Sequence, residues 1–178
     1  MKRVFQIVGL SLLATAAVLI VMGVLMPKHY HVERSILIAA SPAQIHPWVE
    51  DLQKWPIWAN WDRQDPSLAV TTTDNAKGVG ASQHWQGERS GSGILTITKS
   101  DPAQGIRFTT KLGNGAETAG SISYSEAAGT TNVTWTDEGR LPSFMGGFIR
   151  GDFEDLLGHH FEEGLRRLKK AVEQQPHN

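Results

Sequence analysis

The chain has 178 residues, a formal net charge of -1, 18 glycines, six tryptophans and no cysteine. A charge so close to neutral excludes the strong basic field of a nucleic-acid binder. The lack of thiols excludes disulfides, thiolate nucleophiles and cysteine-held zinc or iron–sulfur sites.

The first element is the charge-free run Val4–Met26, VFQIVGLSLLATAAVLIVMGVLM. As a helix at about 1.5 Å per residue it reaches roughly 34 Å, enough to cross a hydrocarbon core of about 30 Å. The competing reading is a cleaved signal peptide. The apolar run is longer than such a peptide needs, and its only Ala-x-Ala triplet, Ala14-Thr15-Ala16, sits mid-run rather than after it. The segment 1–27 therefore reads as an uncleaved transmembrane anchor. Lys2 and Arg3 favour a cytoplasmic N-terminus and place the rest of the chain on the periplasmic or extracytoplasmic side, although Lys28 and Arg34 lie close to the other end.

Residues 28–174 are expected to form one domain, with 175–178 as a tail. Residues 29–40 read as a strand with Val32, Ile36 and Ile38 on one face. Ser41-Pro42-Ala43-Gln44 starts a helix: serine as N-cap, proline at the first helical position and glutamine three after the cap. That helix carries Ile45, Trp48, Val49 and Leu52, and a second short helix comes next around residues 56–59. After a polar loop over 62–67, short alternating runs suggest strands near 68–74, 79–87, 92–100, 104–112, 117–126 and 130–139, broken by Gly78, Gly91-Ser92-Gly93, Asp101-Pro102, Gly113-Asn114-Gly115 and Ala128-Gly129. Links this short imply an antiparallel meander. Phe153, Leu157, Phe161, Leu165, Leu168 and Val172 then step by three or four, widened by Ile149 and Leu156, so a long amphipathic helix should run from residue 144 or 150 to 174. The fold class is α+β: a curved seven-stranded antiparallel sheet wrapped on a long C-terminal helix, with two short helices after the first strand and one N-terminal transmembrane helix.

That order resembles the helix-grip fold of the START-like, or polyketide cyclase/dehydrase-type, superfamily. The stretches that carry the resemblance are Ile38-Ala39-Ala40-Ser41-Pro42, Trp55-Pro56-Ile57-Trp58-Ala59-Asn60-Trp61, Gly78-Val79-Gly80-Ala81, Trp85-Gln86-Gly87, Gly91-Ser92-Gly93, Val133-Thr134-Trp135, and Asp152-Phe153-Glu154 leading into Gly164-Leu165. They span about residues 30–173. The resemblance implies an internal cavity for an apolar ligand; the anchor lies outside it.

Trp55, Trp58 and Trp61 recur at a spacing that stacks them on one side of a helix. They read as an aromatic wall at a pocket mouth, as packing on the sheet edge, or as rings dipping into a bilayer surface. Strand parity turns Ala81 and Trp85, Ile106, Phe108 and Leu112, Ile122 and Tyr124, and Val133 and Trp135 inward. Asp137 shares the parity of Trp135. There it either binds a ligand hydroxyl or acts as a base with a pKa raised by burial, or it sits at an exposed strand end beside Arg140. The candidate ligand-binding set is Trp58, Trp61, Trp85, Phe108, Tyr124, Trp135, Asp137 and Phe148, with Asp137 the one candidate for catalysis. His84 falls on the exposed parity. His159, His160 and Glu163 have a passable metal spacing but face different ways, so no metal and no cofactor is expected. No Walker loop, G-x-S-x-G or H-E-x-x-H is present. The leading reading is a membrane-anchored binding domain for a hydrophobic small molecule or lipid. The alternatives are a polyketide cyclase- or dehydratase-like enzyme and a protein-interaction domain that does not use its cavity.

Overall fold

In a computed structural model, residues 1–59, 65–141 and 146–174 are described. The apolar N-terminal run forms helix α1 (Lys2–Leu25). Among the described residues only Gln6–Leu25 is a helix long and apolar enough to cross a membrane. Its described side chains stand almost entirely free of the rest of the chain.

The domain has the expected order: β1 (His29–Ile38), α2 (Pro42–Val49), a 3-10 turn (Leu52–Lys54), α3 (Trp55–Trp58), β2 (Ala69–Thr72), β3 (Ser82–Gly87), β4 (Gly91–Asp101), β5 (Gly105–Leu112), β6 (Glu117–Ala127), β7 (Thr130–Arg140) and α4 (Gly146–Glu173). The strands form one antiparallel sheet, β1-β7-β6-β5-β4-β3-β2. The hairpin between β6 and β7 turns on Ala128 and Gly129, both at positive φ, as a two-residue loop that matches strand twist requires. At α2, the Gln44 side chain accepts a hydrogen bond from the Ser41 backbone N–H at 2.9 Å, the reciprocal half of a capping box.

Several boundaries shift by one to three residues, β2 being shorter than expected, and Leu52, expected on the first helix, falls in the 3-10 turn because α2 ends at Val49. The strand expected from residue 79 begins at Ser82, because Gly78 and Gly80 adopt positive φ and hold a turn there. The first strand ends at Ile38, and Ala39 N–H bonds the Glu173 carboxylate instead of a strand.

Helix α4 runs beside β1 in the same direction. Glu154 accepts from His31 N–H at 3.4 Å, Arg34 Nε donates to Glu162 at 2.7 Å, and Lys169 Nζ donates to the Leu37 carbonyl at 2.8 Å. These bonds cover the free edge of β1, which would otherwise invite another strand. The core lies between α4, the short helices and the concave sheet face; Val32, Ile38, Ile45, Leu52, Ile122, Val133, Leu165 and Leu168 are buried there.

Candidate functional site

One polar cluster stands on the inward face. Asp137 on β7 accepts a hydrogen bond from the Tyr30 phenol at 2.6 Å and another from the Thr118 hydroxyl at 3.3 Å. Asp137 and Thr118 are each 9 % exposed and Tyr30 is 5 % exposed. Strand register explains the meeting. Tyr30 lies opposite Gly139, which lies opposite Thr118, and Asp137 is two residues back along β7. A Cβ on Gly139 would meet Thr118 Cγ2 and Tyr30 Oη at 2.9 Å, so the bare glycine leaves the floor over which both hydroxyls reach the carboxylate. Gly120 performs the same service for the Phe108 ring, which packs over it beside Asp137.

Burial pushes the Asp137 carboxyl up to about 6, against the lowering effect of the Tyr30 and Thr118 hydrogen bonds. Burial and the adjacent Asp137 charge raise the Tyr30 phenol, which therefore stays a donor. The arrangement is chemically able to take a ligand hydroxyl, or to accept a proton near neutral pH. The expected alternative, Asp137 exposed at a strand end beside Arg140, is corrected: Asp137 is buried, its hydrogen bonds go to hydroxyls, and Arg140 has the opposite parity and is exposed.

Aromatic rings fill the concave face next to this cluster. Trp55 lies 5.1 Å from Trp58, 5.7 Å from Phe108 and 6.2 Å from Trp135, and Phe161 of α4 stacks on Trp135 at 4.2 Å. The Trp55 and Trp58 indoles donate to the Val49 and Trp48 carbonyls, which satisfies their buried N–H groups. Toward the end where α1 joins the domain the face is less closed. The inward residues Thr110, Leu112 and Trp85 are only half-buried, as are Phe153 and Leu157 on α4. The Tyr30 ring meets Phe153 edge-on at 4.8 Å, so the polar cluster borders this looser region. A void of about 10 Å³ lined by Leu68, Val70, Gln83, Trp85 and Leu95 lies on the same face.

The expected site residues do not converge on one point. Trp58, Phe108 and Trp135 join one aromatic cluster, and Asp137 borders it. Trp85 lies over Gly93 nearer the sheet edge. Tyr124 is at the far end of the sheet, and Phe148 stands on the exposed side of α4. Trp61 falls outside the described residues. Trp55 and Trp58 are wholly buried, which removes them from any bilayer surface.

Tyr124 belongs to a second polar group. His46, 3 % exposed, places Nδ1 3.4 Å from the Tyr124 hydroxyl and Nε2 3.0 Å from Ser100 Oγ and 3.3 Å from Glu50 Oε2. Burial lowers the His46 pKa while Glu50 opposes it. Serine and carboxylate share one ring nitrogen, so the carboxylate cannot orient the imidazole for relay as a catalytic triad requires. The group instead ties α2 to β4 and β6.

Sequence reasoning missed Tyr30, Thr118, His46 and His160 as inward polar groups. Tyr30 was within reach of it, since it shares the parity of Val32. Among the described residues no group of three or more His, Asp or Glu side chains could hold a metal.

The sequence profile of one family, described as polyketide cyclase / dehydrase and lipid transport, matches residues 29–173. No curated protein matches the chain in sequence. Solved structures share the fold. The protein of unknown function SA2116 from Staphylococcus aureus is 12% identical with a TM-score of 0.62, covering 83% of this chain and 98% of its own. The protein CV1439 from Chromobacterium violaceum is 13% identical with a TM-score of 0.59, covering 82% and 98%. DynU16, from a dynemicin biosynthetic locus, is 16% identical with a TM-score of 0.58, covering 81% of this chain and 47% of its own.

Proposed function

The chain belongs to the polyketide cyclase / dehydrase and lipid transport family, and from that premise we propose that it is a membrane-anchored domain that binds a hydrophobic small molecule or lipid. The observation that carries the reading is the buried Asp137–Tyr30–Thr118 cluster at the border of the less closed part of the concave face. The ligand's apolar part would lie against Trp85, Leu112 and the α4 side chains Phe153 and Leu157, where burial supplies about 25 cal/mol per Å². Its hydroxyl or carbonyl end would meet the cluster. The apolar helix Gln6–Leu25 supports membrane anchoring. Lys2 and Arg3 favour a cytoplasmic N-terminus, with the domain on the periplasmic face.

Native mass spectrometry of the full chain in detergent tests the reading. An apolar adduct that exchanges with a hydrophobic fluorescent probe is expected, and Thr110→Trp, which places a large ring among these half-buried side chains, should abolish probe binding without lowering the melting temperature. Absence of any adduct or probe binding, or undiminished binding to Thr110→Trp, would overturn it.

A second reading, a cyclase- or dehydratase-like enzyme, is favoured by one feature. A buried carboxyl held near pH 6 between two hydroxyls suits a general base. In that case Asp137→Asn keeps ligand binding but loses turnover. If Asp137→Asn leaves turnover of a bound substrate unchanged, this reading fails.

A further inference from the structure

We infer that the first turns of α4 are a docking surface for the lipid bilayer itself, inserted beside the anchor at the membrane interface. The inference rests on the membrane-anchor reading of α1. The backbone supplies the geometry. Gly147, buried near the start of α4, packs against Met26, the residue that caps α1: a Cβ on Gly147 would collide with the Met26 side chain. Two residues beyond Met26, the Lys28 carbonyl accepts from Leu141 N–H, just past the end of β7, at 2.9 Å. The start of α4, the end of β7 and the start of β1 are therefore gathered where the apolar span ends. From there β1 and α4 run away together, in step through the Glu154–His31, Arg34–Glu162, Lys169–Leu37 and Glu173–Ala39 bonds.

The residues next to Gly147 are Phe148, 36 % exposed, and Ile149, 47 % exposed. Two large apolar side chains adjoining the contact with the span's end would be costly in water and favourable in the headgroup–acyl boundary, about 5–10 Å deep for an interfacial helix. Leu156, 62 % exposed, lies on the Ile149 side about 10 Å further along the helix. Charges around this end carry both signs, with Lys28, Arg140 and Arg150 near Glu138 and Glu154. The attraction is therefore apolar and needs no anionic lipid. Docking also aims the half-buried row of Thr110, Leu112 and Trp85 at the bilayer, since that row lies at the Leu141 end of the sheet. Ligand then enters from the lipid phase.

The chain has no cysteine, so single labels are unambiguous. Full-length Phe148→Cys, Ile149→Cys, Leu13→Cys and Glu126→Cys variants carry an environment-sensitive fluorophore in phosphatidylcholine vesicles, with bromine-bearing acyl chains as quenchers. Strong quenching is expected at positions 148, 149 and 13, and none at 126, on the distal sheet end. Quenching at 13 but not at 148 and 149 overturns the docking surface and leaves the anchor standing. No quenching at 13 overturns both. Protection of 148 and 149 that grows with protein concentration, without quenching, assigns the patch to a second copy of the chain and also overturns the proposal.

Discussion

Replacing Asp137 with asparagine should stabilise the domain above neutral pH and leave it unchanged in acid. Burial raises the Asp137 pKa from 3.8 to about 6, so the fold disfavours the ionised form. Folding therefore takes up a proton between those two values, and the cost of the buried charge is fully present above pH 6 and gone below pH 4. Two pKa units at about 1.4 kcal/mol each give a cost of about 3 kcal/mol at pH 7.5, an upper bound. Asparagine keeps the shape. Its carbonyl can accept from Tyr30 and its amide can donate to Thr118, so no buried group is orphaned. Chemical denaturation of the full chain in detergent, wild type against Asp137→Asn, should show the variant more stable by about 1–3 kcal/mol at pH 7.5, with the two converging at pH 4. Wild type and variant are compared at each pH because burial also shifts the His46 and His160 imidazoles downward, and that background cancels between the two. Equal stabilities at pH 7.5, or a variant that is less stable there, would refute the dominance of desolvation at Asp137. A stabilising substitution at a polar cluster is what a functional site retained at a stability cost should show.

Gly139→Val should displace Tyr30 and cost about 1–3 kcal/mol, and, by removing the hydrogen bond that lowers it, raise the Asp137 pKa further in a carboxyl NMR titration. Burial, with help from Arg167, lowers the His160 pKa to about 4. The neutral form is therefore favoured in the fold, and stability is lost as pH falls from 6.5 towards 4. His160→Leu should lose about 3 kcal/mol less than wild type between pH 8 and pH 4 in the same denaturation assay. Trp58→Ala should cost about 3–5 kcal/mol, since the ring is wholly buried among Trp55 and Trp135. Phe148→Ala in detergent should cost clearly less, about 1 kcal/mol, because the ring is 36 % exposed. Thermal or denaturant unfolding distinguishes the two, and near-equal losses would contradict their different burial.

By itself the sequence determined the element order and the inward or outward sense of most side chains. Period-two alternation in β4 to β7, the Ser41–Gln44 capping pair and the three-four spacing from Phe153 to Val172 are local signals, and local backbone geometry converts them directly into strands and helices. The charge-free run to Met26 is equally local. Parity turned Phe108, Trp135 and Asp137 inward without any knowledge of neighbours.

Only the tertiary structure decided who those residues meet. Tyr30 and Asp137 are 107 positions apart, and register between β1 and β7 brings them within a hydrogen bond. No hairpin turn joins β1 to β7, so their register is set by matching buried faces in the packed sheet and not by a local turn. The same holds for Gly139, whose missing side chain matters because Tyr30 and Thr118 cross it. The three-residue spacing of Trp55 and Trp58 looked alike whether the rings faced solvent, lipid or core; the Val49 and Trp48 carbonyls and the rings of Trp135 and Phe108 settle them in the core. Met26 against Gly147 joins the end of the apolar helix α1 to the long C-terminal helix, and the contact exists because β1 and β7 are paired neighbours that return the chain to where α1 ends.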